Sequence, residues 1–97
     1  MITMHPAEYF VLSYVEPYGL SSKDIAVCLG ISIDVVEEFL RQEIDLTAEM
    51  AVRIALAFDR SAESWMNMQA SHNLERAKRE VNPASVRPFV FPGESAA

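Results

Sequence analysis

Apolar positions along residues 5–80 recur at spacings of three and four, the repeat of helices that bury one face, and each run is bounded by residues that start or stop a helix. The first run, Tyr9, Phe10, Leu12 and Val15, follows His5-Pro6, where a proline in the opening turn gives up no hydrogen bond; it is predicted to end at Pro17 and Gly19. Ser21, with Asp24 three residues on, is a capping box with Asp in place of Glu, predicting a second helix from Ser22 to Leu29 that Gly30 stops. Ser32, Thr47 and Ser61 each offer an N-cap oxygen. They predict a third helix to about Arg41, a fourth to about Phe58, and a fifth running past Leu74 toward Glu80. No strand-like alternation appears before Pro83, where the chain changes character to SVRPFVFPGESAA. The expected architecture is all-α, with a five-helix domain over residues 1–82 and a non-helical, extended tail over 83–97.

The middle of this pattern is more specific. With Ser22 as the first position, the fifth is the small Ala26 and the ninth is Gly30, while Ile25, Leu29, Ile31, Val36 and Phe39 supply an apolar face: the spacing of a helix-turn-helix. These positions are set by the packing of two helices, so they speak for the fold more than for DNA, and an ordinary helical hairpin is the alternative. In repressors of this architecture the third helix enters the major groove. The groove-facing residues here would be Ser32, Ile33, Asp34, Glu37, Glu38 and Arg41, with Lys23 at the start of the second helix within reach of phosphate.

Charge changes that picture. The 97 residues carry 14 acids against 8 Lys and Arg, net −6, the wrong sign for a generic nucleic-acid binder and the right one for a basic partner. Residues 1–50 hold nine acids and two bases; the rest hold five and six. Between Ser32 and Leu46 there are five acids and one base, Arg41. Phosphate neutralisation supplies most non-specific affinity, so such a face should repel a duplex, although a single carboxylate can read cytosine. Lys23 and Arg41, or Arg53 and Arg60 brought up by dimerisation, are what is left for phosphate.

The 51% hydrophobic content provides one modest core. No apolar run approaches the roughly 18 residues that span a bilayer, and a cytosolic protein is expected. Cys28, the one cysteine, can form neither an internal disulfide nor a zinc-finger site, and is read as a small buried hydrophobe. His5 and His72 stand without Cys or carboxylate at ligand spacing, and there is no Gly-rich phosphate loop or nucleophile with its base. No catalytic residue, metal or cofactor is therefore expected, and the chain is read as a non-enzyme.

Four spaced stretches carry a resemblance: His5-Pro6-Ala7-Glu8, Glu16-Pro17-Tyr18-Gly19-Leu20-Ser21, Leu46-Thr47-Ala48-Glu49-Met50-Ala51 and Ser64-Trp65-Met66-Asn67-Met68-Gln69. Over roughly Met4 to Leu74 the chain resembles the HigA, or VapI-like, family of plasmid-maintenance antitoxins, whose members usually read HPGE, LEPLGLS, LTPEMA and FWLNLQ there. It departs at Ala7 and Ala48, where the family usually has Gly and Pro. The resemblance implies a lambda-repressor-like domain, a small basic RelE- or HigB-like ribonuclease toxin as partner, and repression of the shared promoter by a homodimer bound to operator DNA. A regulator without a toxin, and an acidic adaptor that has lost DNA binding, remain the alternatives.

Two features lie outside the motif. On the fifth helix Trp65, Met68, Gln69 and His72 share one face, and Met66, Ala70, Asn73, Ala77 and Val81 another; the two are either parts of one wide core stripe or, as the resemblance implies, the second is a dimer seam, which is favoured because a domain this small cannot bury two faces of one helix. In the tail, Phe89, Val90 and Phe91 between Pro88 and Pro92 are apolar and extended. They either add to the sheet edge of a partner or fold back on their own domain.

Overall fold

A computed structural model describes residues 4–93, and its order is five helices followed by a short 3₁₀ turn. The first, α1 (6–18), is continuous but not uniform: α-helix Pro6–Phe10, a π-helical stretch Val11–Val15, then α-helix Glu16–Tyr18. Its cap is His5, whose Nδ1 accepts the Ala7 N–H at 3.0 Å. Pro17 does not end this helix as expected, but sits inside its last segment. A proline ring collides with the carbonyl four residues back, and the wider π turn ahead of it gives that carbonyl room. Gly19 ends it, as expected, at φ 63°, with the Leu20 N–H closing on the Val15 carbonyl at 3.1 Å.

The remaining helices start where their caps predict. Helix α2 (Ser22–Leu29) carries the reciprocal capping box of Ser21 and Asp24. Helices α3 (Ile33–Leu40), α4 (Ala48–Ala57) and α5 (Ala62–Glu80) begin at Ser32, Thr47 and Ser61, each hydroxyl accepting a backbone N–H three residues on. Helix α3 ends without glycine: Gln42 takes φ 61° and the Glu43 N–H reaches the Glu38 carbonyl at 2.9 Å.

The core joins all five helices: Ala7 and Phe10 from α1, Ile25 and Leu29 from α2, Val36 and Phe39 from α3, Met50, Ala51 and Ile54 from α4, and Trp65 from α5. Phe10 is its hub, with the rings of Tyr14, Phe39, Phe58 and Trp65 within 5.0–6.2 Å. Trp65 is fully buried and donates its indole N–H to the Asp59 carbonyl at 2.9 Å. Gln69, also buried, accepts the Leu46 N–H at 2.7 Å and donates to Asn73, so one amide ties the α3–α4 connection to α5.

Three expectations are corrected. Cys28 is exposed rather than buried, because Ile25 and Leu29, four residues apart, take the inward arc of α2 and leave Cys28 at its rim. The tail opens with a 3₁₀ turn, Pro83–Ser85, capped by the Asn82 side chain. Beyond it the described tail residues lie exposed, so the alternative in which Phe89, Val90 and Phe91 fold back onto their own domain is not what the structure shows. No described helix is long and apolar enough to cross a membrane.

Candidate nucleic-acid and partner interface

The turn between α2 and α3 needs glycine on two counts. Gly30 sits at φ 68°, with its N–H and that of Ile31 both closing on the Ala26 carbonyl, and a Cβ there would lie 3.1 Å from the guanidinium of Arg53. That guanidinium reaches across from α4 to accept a fixed role: Nη1 donates to the carbonyls of Leu29 and Gly30 at 2.9 and 3.4 Å, while Nε donates to Glu49 at 3.2 Å. The angle of the helix-turn-helix is thus clamped by α4. Arg60 is committed too, stacked 4.7 Å over the Tyr9 ring and hydrogen-bonded to the Ser64 hydroxyl. Neither arginine is free for phosphate in this arrangement.

The outward face of α3 gathers Asp34, Glu37, Glu38 and Arg41, at relative positions 0, 3, 4 and 7, opposite the buried Val36 and Phe39. Asp34 and Arg41 are exposed, Glu37 and Glu38 half-buried, and Ser32 and Ile33 exposed at the helix start, where the Ser32 hydroxyl is spent on the Val35 N–H. Arg41, the one base on this face, is held by Glu43 through two parallel hydrogen bonds, 3.1 and 3.2 Å. Glu43, with Glu37 and Glu38 behind it, raises the guanidinium pKa further. Lys23 is exposed in the first turn of α2, beside Asp24, whose carboxyl is held below the usual range chiefly by the Ser21 backbone N–H. Asp34, Glu37, Glu38 and Arg41 therefore share one face, with Ser32 and Ile33 at the helix start rather than on it, and that face is a carboxylate surface whose single guanidinium is already paired.

On α5 the residues expected to form a second face separate into two groups. Ala70, Ala77 and Val81 are exposed. Met66 is half-buried against the core, and Asn73 is bound to Gln69 and, at 3.3 Å, to Asp45. Between Ala70 and Ala77 stands Leu74, 56% exposed, a residue the sequence reading passed over although it lies four from Ala70 and three from Ala77. Helix α4 adds Val52 and Leu56, the latter 83% exposed. Val52 lines an open cleft with Ala48, Ala62 and Met66, so the apolar surface runs from α4 onto α5. The signal for Val52 and Leu56 was a pair four apart on a helix already burying Met50, Ala51 and Ile54.

In the tail, Phe89, Val90 and Phe91 are 69%, 83% and 59% exposed, and the two phenyl rings meet edge to face at 4.9 Å. His5 and His72, read as unaccompanied, turn out to be each other's neighbours, centroids 5.1 Å apart.

No protein-family model matches the chain. It is 34% identical over 86 residues to virulence-associated protein I of Dichelobacter nodosus, covering 89% of this chain and 80% of that one. To antitoxin HigA-1 of Vibrio cholerae it is 27% identical over 92 residues, covering 93% and 87%. Among solved structures, antitoxin GraA in complex with its operator superposes with a TM-score of 0.82 at 28% identity, over 94% of this chain and 95% of that one.

Proposed function

The chain belongs to the HigA/VapI-like family of helix-turn-helix antitoxins, and from that membership we propose that it binds and neutralises a small, basic ribonuclease toxin of the RelE or HigB type and, as a dimer, contacts the operator of their shared promoter. The observation that carries the first role is the charge distribution. A net −6, with nine acids and two bases in residues 1–50, speeds encounter with a basic toxin and disfavours wrong partners. The two copies meet across the outward face of α5, through Ala70, Leu74, Ala77 and Val81, with Met66 and Asn73 at the rim. Purification of the chain together with the product of the neighbouring gene, and loss of that product's ribonuclease activity in the complex, tests the toxin role; two proteins that elute apart reject it.

The operator role falls to Lys23 and the α2 N-terminus for phosphate, and to Ser32, Ile33, Asp34, Glu37, Glu38 and Arg41 for the groove. It is the weaker of the two, since the carboxylates repel the phosphates that other residues attract. One observation favours a second reading, in which the fold is kept for protein partners alone: Arg41 is paired to Glu43, and contact with DNA requires that exposed pair to be given up. Fluorescence anisotropy against the chain's own upstream DNA, over a salt series and beside an unrelated duplex, separates them. Sequence-selective binding with a steep salt slope supports operator contact, and no binding at low salt leaves the protein partner as the function.

A further inference from the structure

The exposed seam of α5 is too small to hold two copies together. Ala70, Leu74, Ala77 and Val81 include two alanines, whereas a stable interface engages roughly 20–30 residues and about 800 Å² on each side. The remainder has to come from surface continuous with the seam. One such surface is the cleft between α4 and α5, lined by Ala48, Val52, Ala62, Glu63, Met66 and Asn67, whose Met66 lies one helical turn before Ala70. The other is the tail that follows directly on Val81, with Phe89 and Phe91 exposed and their rings in edge-to-face contact.

The seam's own pattern brings cleft and tail together. Antiparallel pairing about a two-fold axis sets Ala70 against the partner's Val81 and Leu74 against the partner's Ala77, so that each large side chain meets a small one; parallel pairing would set like on like. Charge agrees: residues 61–70 of α5 carry Glu63 and no base, and residues 71–80 carry Arg76, Lys78 and Arg79 against Glu75 and Glu80. In this register Met66 and Ala62 lie about 6 and 12 Å beyond the level of the partner's Val81, at about 1.5 Å per helical residue. The chain from Val81 to Phe89, even with its 3₁₀ turn at Pro83–Ser85, covers that distance and the sideways step onto α4, since each extended residue spans about 3.3 Å. Within a single copy the cleft lies at the other end of α5, about 28 Å away along the helix. The described chain is accordingly long, 58 Å against 23 and 22 Å across, with every described residue from Val86 onward exposed.

We infer that the α4–α5 cleft is the docking site for the tail of a second copy: residues 86–91 cross the seam, Phe89 and Phe91 cover the partner's Val52 and the partner's Met66, and Arg87 faces the partner's Glu63. The exchange is reciprocal, each copy giving one tail and receiving one. Arg87 is the one ionisable residue between Val86 and Gly93, and its sign fits a chain of net −6 with a carboxylate on the cleft, whereas a basic protein would repel it. The inference rests on the α5 seam proposed above.

Thiol cross-linking of the full-length chain tests it, in a Cys28→Ser background so that only introduced thiols react. Val52→Cys and Phe91→Cys chains, mixed and oxidised, should give a covalent heterodimer. In a chain carrying both substitutions, a link closed within one monomer places the tail in its own cleft and overturns the exchange. Phe89→Ser together with Phe91→Ser, both outside the core, should raise the dimer dissociation constant at least about tenfold with helix content unchanged. If the parent has the mass of a dimer but no heterodimer link forms, or the two serines leave the dissociation constant as it was, the tail docking falls and the seam stands. A parent that stays monomeric in light scattering up to the highest concentration overturns both.

Discussion

The rings of His5 and His72 meet edge to face with their centroids 5.1 Å apart, joining the cap of α1 to α5 from nearly opposite ends of the domain sequence. Because His5 Nδ1 accepts the Ala7 N–H, the proton of the neutral ring sits on Nε2. That atom and His72 Nδ1 are buried without a hydrogen-bond partner among the described residues. Burial, then the neighbouring His72, lowers the His5 pKa from 6.5; Asp45 and the Ile44 backbone pull the other way, and Arg76 adds a small lowering.

A group whose pKa is depressed in the fold is protonated more readily by the unfolded chain. Its contribution to stability is present above 6.5 and is lost as pH falls below 6.5 and through the lowered value. Thermal unfolding at about pH 8 and about pH 5.5 should show a lower midpoint in acid, and His5→Asn, which keeps a cap acceptor but does not titrate, should narrow the difference. Parallel curves for the two proteins would assign the acid sensitivity to other groups.

Gly30→Ala meets two obstacles together, a left-handed backbone and the Arg53 guanidinium 3.1 Å from the new Cβ. The backbone alone is expected to cost about 1–2 kcal/mol, and displacement of Arg53 from the α2 carbonyls adds to it. Urea denaturation measures the sum. A Gly30→Ala loss as large in the Arg53→Ala background as in the parent would show that the guanidinium yields without cost.

Glu43→Gln removes the partner that holds Arg41 and lowers the negative charge of the α3 face. Affinity for any duplex should rise, and the slope of log K against log salt should steepen by about one as Arg41 takes up a phosphate. Anisotropy at several salt concentrations reads both quantities. An unchanged slope would mean that Arg41 does not reach the backbone even when released.

Ala70→Arg and Leu74→Arg each place a charge in the proposed seam of α5, at positions exposed in the single chain. Light scattering should give the mass of a dimer for the parent and of a monomer for both variants, with helix content unchanged because no core contact is touched. A dimer that survives both substitutions moves the interface elsewhere, with the Val52 and Leu56 surface of α4 next to be tried.

How much of this was legible beforehand follows from the range of the interactions involved. Helix starts depend on a hydroxyl and an N–H three residues apart, so Ser21, Ser32, Thr47 and Ser61 marked them without reference to the rest of the chain. Gly30 was readable for the same reason, since a left-handed turn after a helix is a local demand. Pro17 misled because the rule that proline ends a helix ignores the π turn that accommodates it. Cys28 and Leu74 misled because a helical face is wider than the part that a small domain buries, and only the neighbouring helices decide where burial stops.

By itself the sequence determined the five helices, their caps, the glycine turn and the carboxylates that share the face of α3, all consequences of short-range hydrogen bonding and helical periodicity. Tertiary structure alone decided that Arg53 would clamp the turn, that Arg60 would stack on Tyr9, that His5 would meet His72, and that Met66 would pack against the core while Leu74 stayed uncovered. Those outcomes depend on which helices come together and at what angle. That is settled by burying Phe10, Phe39 and Trp65 in one core, a global condition that no stretch of a few residues records.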